Sequence, residues 1–125
     1  GKIGVLVSLK SNKKKNDLIE FGKQLSMHIA ALSPIAIDKS ALDEQVVKKE
    51  KEIIVEEIKN SGKDPKIADK IAAGRLNKFI NENTLLNQEW IIEPKKTVKE
   101  IITQLEGNDK IEIKKFIRFK VGEGI

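Results

Sequence analysis

The sequence predicts an α+β fold, in which a small antiparallel sheet is packed by helices and an antiparallel helical hairpin is inserted. Apolar residues alternate with other residues near both ends of the chain, which is the period of a strand with one buried face. Between these ends, apolar residues recur at the 3.6-residue period of an amphipathic helix. Two of the helical segments have similar lengths and are separated by a short turn, so they are expected to run antiparallel.

The first forty residues predict one strand and one helix. The strand alternation consists of Ile3, Val5, Val7 and Leu9. A polar, lysine-rich turn follows, and a helical pattern starts at Asp17. Its apolar stripe consists of Leu18, Phe21, Leu25, Ile29 and Leu32. We expect this helix to end at Ser33, because a residue before proline is disfavoured in the α region.

Two further helices are expected between residues 41 and 85. The first spans about 43–60, with Val46, Val47, Ile53, Ile54 and Ile58 on one side. Gly62 is suited to the left-handed position past a helix end. Asp64 and Pro65 predict the N-cap and first residue of the next helix. The apolar stripe of that helix consists of Ile67, Ile71, Leu76, Phe79 and Ile80.

The last part of the chain predicts a short helix and a second strand. Thr97 and Glu100 have the spacing of a capping box. The strand alternation consists of Ile111, Ile113, Ile117, Phe119 and Val121, and residues 114–116 disturb it as a β-bulge would. We expect this strand to pair antiparallel with the first. Residues 1–40 and 86–125 would then form one unit, and residues 41–85 the inserted hairpin.

The composition argues against several classes of protein. The net charge is +5, but the charged residues, 34% of the chain, have both signs interspersed. One Trp, four Phe and no Tyr offer few surfaces on which nucleic-acid bases could stack. No cysteine is present, and no apolar run approaches the roughly 18 residues of a membrane span. We expect a soluble intracellular protein and, because the chain starts at Gly1, a piece of a longer one.

The sequence offers little for catalysis, so we do not expect an enzyme or a cofactor. His28 is the only histidine, and clusters of His and Cys that could bind a metal are excluded. His28 lies at the edge of a helix stripe, where packing and hydrogen bonding are expected rather than reactivity. The carboxylates Glu50, Glu52, Glu56 and Glu57 alternate with lysines, which favours a solvated, ion-paired face over a general acid and base.

The most informative group of residues is Trp90, Ile91 and Ile92, which lie in a connector between Glu89 and Glu93. They could fill the core where the chain returns from the hairpin. Alternatively, one or two of them could form an exposed apolar patch that binds a partner. Lys114, Arg118 and Lys120 are expected on the outward side of the last strand, as a solvated face or as the charged rim of an interface. The glycines of Val121-Gly122-Glu123-Gly124 indicate a flexible strand exit.

Several of these segments together resemble the elongation factor Ts family of bacteria and organelles. The similar segments are Lys2-Ile3-Gly4-Val5-Leu6-Val7, Met27-His28-Ile29-Ala30-Ala31, Ser61-Gly62-Lys63, the run from Lys70 to Phe79, Glu93-Pro94-Lys95-Lys96-Thr97-Val98, and the run from Phe116 to Gly124. They occur in the family's order and span nearly the whole chain. The last of them is the most specific.

The resemblance implies a guanine-nucleotide exchange factor that binds elongation factor Tu, in its GDP-bound and nucleotide-free forms, and promotes GDP release. It implies a cytoplasmic location, or a mitochondrial or plastid one, with no membrane or direct nucleic-acid partner. The family's N-terminal domain and its Thr-Asp-Phe-Val motif have no counterpart in this chain, which places direct displacement of the partner's Mg²⁺ in doubt. Trp90, Ile91, Ile92, Arg118 and Lys120 are the candidate partner contacts. Self-association through the hairpin is left open.

From charge alone, a small basic RNA-binding or ribosome-binding domain is the alternative function. Contacts to phosphate lose affinity steeply with salt, whereas an apolar docking patch does not. Salt dependence therefore separates the two functions.

Overall fold

The structure, a computed structural model, describes residues 2–120. Within this range it contains four α-helices and two strands, which confirms the α+β class. The elements are β1 (Ile3–Ser11), α1 (Lys15–Leu32), α2 (Glu44–Asn60), α3 (Pro65–Asn83), α4 (Val98–Glu106) and β2 (Ile111–Lys120). Single 3₁₀ turns at Lys39–Ala41 and Leu85–Asn87 precede α2 and follow α3.

Strands β1 and β2 pair antiparallel, as predicted. Ser8 lies opposite Lys115 and Leu9 opposite Ile113, so Lys114 is an extra residue in β2. The predicted β-bulge is therefore confirmed. Because successive side chains of a strand alternate between faces, the extra residue changes which β2 side chains face the core beyond it.

The main core lies between one face of this sheet and helices α1 and α4. Its buried residues are Phe21, Leu25, Ile29, Leu85, Trp90, Val98, Ile101, Ile102, Ile111 and Ile113. Val5, Val7 and Leu9 of β1 pack against them, as their alternation predicted. Leu32, the last residue of the predicted α1 stripe, is exposed, so the buried part of this stripe ends at Ile29.

The predicted helix signals are mostly confirmed. Ser33 ends α1 in the left-handed region, with φ 47°, and its N–H donates to the Ile29 carbonyl. Asp64 caps α3, and its side chain accepts from the Lys66 N–H at 2.9 Å. Helix α1 begins at Lys15 rather than Asp17. Lysine has a high helix propensity, so the end of the lysine-rich segment, which was expected in the turn, forms the first residues of the helix.

Helices α2 and α3 pack against each other. Ile54 and Ile58 are buried, and Arg75 of α3 forms an ion pair with Glu57 of α2. The predicted stripes are only partly covered, since Val46, Ile53 and Ile67 are exposed. Two helices that pack mainly on each other bury one narrow strip of each, and the rest of a wide apolar stripe faces solvent.

The segment that precedes α2 and the segment that follows α3 lie side by side. The N–H groups of Leu85 and Leu86 donate to the carbonyls of Ala36 and Ile37, both at 2.9 Å. Beside this pairing, a second cluster of buried residues consists of Ala36, Leu42 and Ile80, with Val47, Leu76 and Phe79 partly buried around it. The base of α2 and α3 is thus tied to the body by both backbone pairing and apolar packing.

Replacing Thr97 by Ala should lower the stability of the protein by about 1 kcal/mol. The Thr97 hydroxyl accepts the Glu100 N–H and the Glu100 carboxylate accepts the Thr97 N–H, so the substitution removes half of a complete capping box at the start of α4. Urea unfolding measures the difference. Thr103→Ala is the matched control, since that hydroxyl is exposed and donates to a carbonyl within the same helix. Equal effects of the two substitutions would contradict the capping role.

Candidate partner-binding site

Ile91 and Ile92 lie at the tip of a tight turn in the connector between α3 and α4. The Glu93 N–H donates to the Trp90 carbonyl at 3.1 Å, so the two isoleucines are the central residues of a four-residue turn, here called the 90–93 turn. Their side chains are 40% and 52% exposed. Gly, Pro, Asn, Asp and Ser dominate such positions, and adjacent β-branched apolar residues are unusual there. The turn therefore presents an apolar pair to solvent that its local geometry does not require.

The 90–93 turn is held at its ends by backbone pairing. The Trp90 N–H donates to the Lys96 carbonyl at 2.7 Å, and the Val98 N–H donates to the Gln88 carbonyl at 3.0 Å. The Lys96 N–H donates in turn to the Glu93 carbonyl. The connector is thus a compact loop that starts and ends on the core, and the isoleucine pair stands at its outer end.

Trp90, predicted as a partner contact, lies in the core and is only 3% exposed. Its ring is stacked on that of His28, with centroids 5.2 Å apart, and lies 6.0 Å from that of Phe21. An indole buries more apolar area than any other side chain here could, so it fills the space between α1 and the connector. The structure thus separates the three candidate residues: Trp90 fills the core, and Ile91 and Ile92 form the exposed patch.

His28 is fully buried beneath the 90–93 turn. Its Nε2 lies 2.9 Å from the Gln88 Oε1, and its Nδ1 accepts the Ile91 N–H at 3.2 Å. A histidine that is packed and hydrogen-bonded was predicted at this position. Burial lowers the pKa of His28, because a charged imidazolium loses its hydration there, and the hydrogen bond to Gln88 offsets this in part.

Gln88 connects three parts of the chain through one buried carboxamide. Its Nε2 donates to the carbonyls of Glu82 (2.8 Å) and Leu32 (3.3 Å), and its Oε1 faces His28. The ends of α1 and α3 are thereby joined to the connector. No pattern in the sequence marks Gln88, because its partners lie at both short and long separations along the chain.

Arg118 does not lie on the outward side of β2, so this part of the sequence prediction is wrong. It pairs with Val5 across the sheet, and its Nε and Nη2 donate to the Ala30 carbonyl at 3.3 and 3.2 Å. The bulge at Lys114 shifts the alternation of β2 by one residue and turns Arg118 toward α1. A cation that binds a free carbonyl in the last turn of a helix also complements the helix dipole.

The other candidate cations of β2 are exposed. Lys114 forms an ion pair with Glu112 at 3.0 Å, and Lys120 lies at the end of the strand. That Lys120 contacts a partner stays a prediction. The segment Val121-Gly122-Glu123-Gly124, predicted as a strand exit, lies outside the described residues.

The outer face of the sheet carries an apolar patch. Ile117 and Phe119 were predicted on the buried face of β2 together with Ile111 and Ile113, but they lie on the outer face, because the bulge at Lys114 shifts the alternation by one residue. Leu6 lies directly opposite Ile117, and Phe119 lies opposite Gly4, with its ring over the glycine. Leu6, Ile117 and Phe119 are 63%, 44% and 47% exposed. The sequence indicates this patch, because both strands carry apolar residues at odd and at even positions, which point to opposite faces of the sheet.

Within residues 2–120, no group of three or more His, Cys, Asp or Glu side chains is arranged to hold a metal ion. In the same range, every helix is too short or too polar to cross a lipid bilayer.

In residues 2–120, the chain thus forms a small α+β body with an exposed apolar turn as its candidate binding site. Comparison with known proteins identifies its family. The family model described as Elongation factor TS matches residues 1–123, and the chain belongs to this family. Its members are translation elongation factors.

Individual relatives support the same assignment. The chain is 41% identical over 127 residues to the elongation factor Ts of Parvibaculum lavamentivorans and 44% identical over 128 residues to that of Rickettsia felis. The elongation factor Ts of Rickettsia prowazekii is 43% identical over 128 residues. Each alignment covers 100% of this chain, which spans 41% of the length of these relatives.

The free energy of unfolding should decrease as the pH falls below 6.5, the ordinary pKa of histidine. The folded protein holds His28 neutral, so between 6.5 and its lowered pKa the unfolded chain binds more protons than the folded one. The resulting slope is at most about 1.4 kcal/mol per pH unit. Urea titrations across this range measure it. A free energy that does not change with pH would contradict the buried neutral imidazole, because the chain has no other histidine.

Replacing Arg118 by Gln should lower the stability by about 1 kcal/mol, because the Ala30 carbonyl loses a charged donor at the end of α1. Lys120→Gln, which removes an exposed charge two residues further along β2, should leave stability unchanged. Thermal unfolding of both variants tests the difference. If the two substitutions had the same effect, the contact with Ala30 would contribute nothing.

Proposed function

We propose that this chain is the part of an elongation factor Ts that binds elongation factor Tu and thereby promotes release of GDP, so that GTP can bind. Membership of the family supports the kind of partner. The 90–93 turn supports the position of the site. Ile91 and Ile92 are exposed there, on a loop whose ends are held by backbone hydrogen bonds. Translation takes place in the cytoplasm of bacteria, and we place the protein there.

Ile91 and Ile92 are the proposed anchors of the interface, and Lys120 is a proposed charged contact at its rim. Binding energy in protein interfaces is concentrated in a few apolar or aromatic side chains that enter pockets of the partner. An isoleucine at the tip of a turn can enter such a pocket without movement of the body. The guanidinium of Arg118 donates to the Ala30 carbonyl, so we propose that the main role of Arg118 is to hold α1 against β2.

We also propose that α2 and α3 form an antiparallel helical hairpin inserted into the body, with residues 41–85 as the hairpin and residues 1–40 and 86–125 as the body. The adjacent entry and exit segments near Ala36 and Leu85 support this division. The separation of the second apolar cluster from the main core supports it as well. At about 1.5 Å per residue, each helix would extend roughly 25 Å from the body, far enough to act as a lever.

The proposed mechanism needs no covalent chemistry. If the chain binds elongation factor Tu more tightly without nucleotide than with GDP, then GDP must bind more weakly, by the same factor, when the chain is present. The binding surface therefore only has to bind nucleotide-free elongation factor Tu more tightly than its GDP-bound form. No group in the described residues is required to act as an acid, a base or a nucleophile.

Replacing Ile92 by Asp should weaken binding to nucleotide-free elongation factor Tu at least about tenfold, because a carboxylate cannot enter an apolar pocket without losing its hydration. Titration calorimetry with the nucleotide-free and GDP-bound partner measures the affinities, and the wild type should prefer the former. Ile19→Asp is the matched control, since Ile19 is a comparably exposed isoleucine on α1.

Two results would contradict the proposal. One is equal weakening by Ile92→Asp and Ile19→Asp in folded protein, which would move the interface away from the 90–93 turn. The other is a steep, log-linear loss of affinity with salt that is unaffected by Ile92→Asp, as expected of contacts to phosphate in the alternative RNA-binding function.

A further inference from the structure

The polar groups beneath the 90–93 turn are arranged more specifically than packing requires. His28 receives an N–H from the turn on one ring nitrogen and faces a carboxamide oxygen with the other. A leucine or phenylalanine could fill the same volume. Only a group with one acceptor and one donor at these two positions satisfies both neighbours.

Gln88 determines which nitrogen of His28 carries the proton. The Gln88 Nε2 donates to two backbone carbonyls, those of Glu82 and Leu32, so the carboxamide cannot be reversed without leaving both carbonyls opposite an oxygen. Its Oε1 must therefore accept from the His28 Nε2. The Nδ1 is then unprotonated and free to accept the Ile91 N–H at 3.2 Å. The tautomer that holds the turn is thus set by the ends of α1 and α3.

We infer that His28 is a positioning residue of the partner-binding site, and that its neutral, Nε2-protonated imidazole, oriented by Gln88, fixes the 90–93 turn in the conformation that binds the partner. The inference rests on the proposed function, because it concerns the same turn. His28 acts through the Ile91 backbone and does not itself reach the surface, since it is fully buried.

His28 increases the affinity for the partner by ordering the 90–93 turn before binding. Fixing the backbone of a residue in one conformation costs conformational entropy. A turn that is already fixed in the free protein loses less conformational entropy when the partner binds, so the protein binds the partner more tightly. The stacked Trp90 ring prevents the imidazole from rotating away, so the hydrogen-bond acceptor keeps its direction.

Protonation of His28 would remove this support. The Nδ1 would then carry a hydrogen that points at the Ile91 N–H, and two donors would face each other. Charged side chains on the surrounding elements include Glu20 and Lys23 on α1, Glu89, Glu93 and Lys96 on the connector, and Arg118 on β2. Of these, Glu93 forms an ion pair with Lys96, and Arg118 is bound to Ala30; His28 is hydrogen-bonded to Gln88 and Ile91 instead.

Two substitutions of His28 separate the positioning role from packing. The side-chain oxygen of Asn occupies the place of Nδ1, so His28→Asn keeps an acceptor for the Ile91 N–H and cannot titrate. The amide nitrogen of Gln occupies the place of Nε2, so His28→Gln keeps the donor to Gln88 and loses the acceptor. Both substitutions shrink the side chain and weaken the stacking on Trp90. Each keeps only one of the two polar contacts of His28, so their comparison shows whether the contact to Ile91 or the contact to Gln88 holds the 90–93 turn.

The experiment measures hydrogen exchange of the Ile91 amide and affinity for nucleotide-free elongation factor Tu between about pH 5.5 and pH 8, where histidine titrates. We expect His28→Gln to lose protection of the Ile91 amide and to bind at least about tenfold more weakly. His28→Asn should keep both near the wild-type values. Relative to His28→Asn, the wild type should lose affinity as the pH falls through the lowered pKa of His28, which lies below the ordinary value of 6.5.

A folded His28→Gln variant with wild-type amide protection, affinity and pH profile would overturn the inference. If the variants do not fold, nitrogen NMR of the wild type decides the point, since a protonated Nδ1 at neutral pH, or an Ile91 amide that does not follow the titration of His28, would also overturn it. Amide exchange needs no partner. If the wild type does not bind elongation factor Tu, the proposed function fails, while the exchange data still test whether His28 holds the turn.

Discussion

The structure around the candidate site depends on one buried carboxamide, that of Gln88. It joins the last turn of α1 at Leu32, the last turn of α3 at Glu82 and the imidazole of His28. Carbonyls at the ends of helices lack partners within the helix and cost free energy if they are buried without one. A residue that satisfies two of them at once fixes the relative position of two helices, and the connector that carries Gln88 becomes part of the core.

This arrangement explains how a short apolar turn can keep one conformation on the surface of a small body. Ile91 and Ile92 are exposed, but the residues on either side of them are buried, hydrogen-bonded or paired along the backbone. A buried network in which every group has a partner specifies one conformation more strictly than apolar packing does. No buried side-chain nitrogen or oxygen in the described residues lacks a hydrogen-bond partner. The surface patch thus owes its shape to polar groups that no partner would touch.

Local signals predicted most of the fold, and long-range contacts explain where prediction failed. The Asp64 N-cap, the Thr97 capping box and the alternation of β1 each depend on residues close in sequence, and the structure has them all. The error at Arg118 followed from counting the alternation straight through the bulge, although the bulge itself was predicted. The role of Gln88 could not be predicted, and the burial of Trp90 was only one of two alternatives, because their partners on α1 are about 60 residues away and leave no periodic signal.

We propose that Ile91 and Ile92 contact elongation factor Tu while the body stays unchanged. Methyl NMR of the isoleucine side chains, recorded with and without nucleotide-free elongation factor Tu, tests it most directly, because isoleucines at other sites serve as internal references. We expect the Ile91 and Ile92 methyl signals to shift or broaden specifically, while those of exposed Ile19 and buried Ile54 change only as the larger size of the complex requires. Unchanged Ile91 and Ile92 signals in a saturated complex, with perturbation elsewhere, would contradict it.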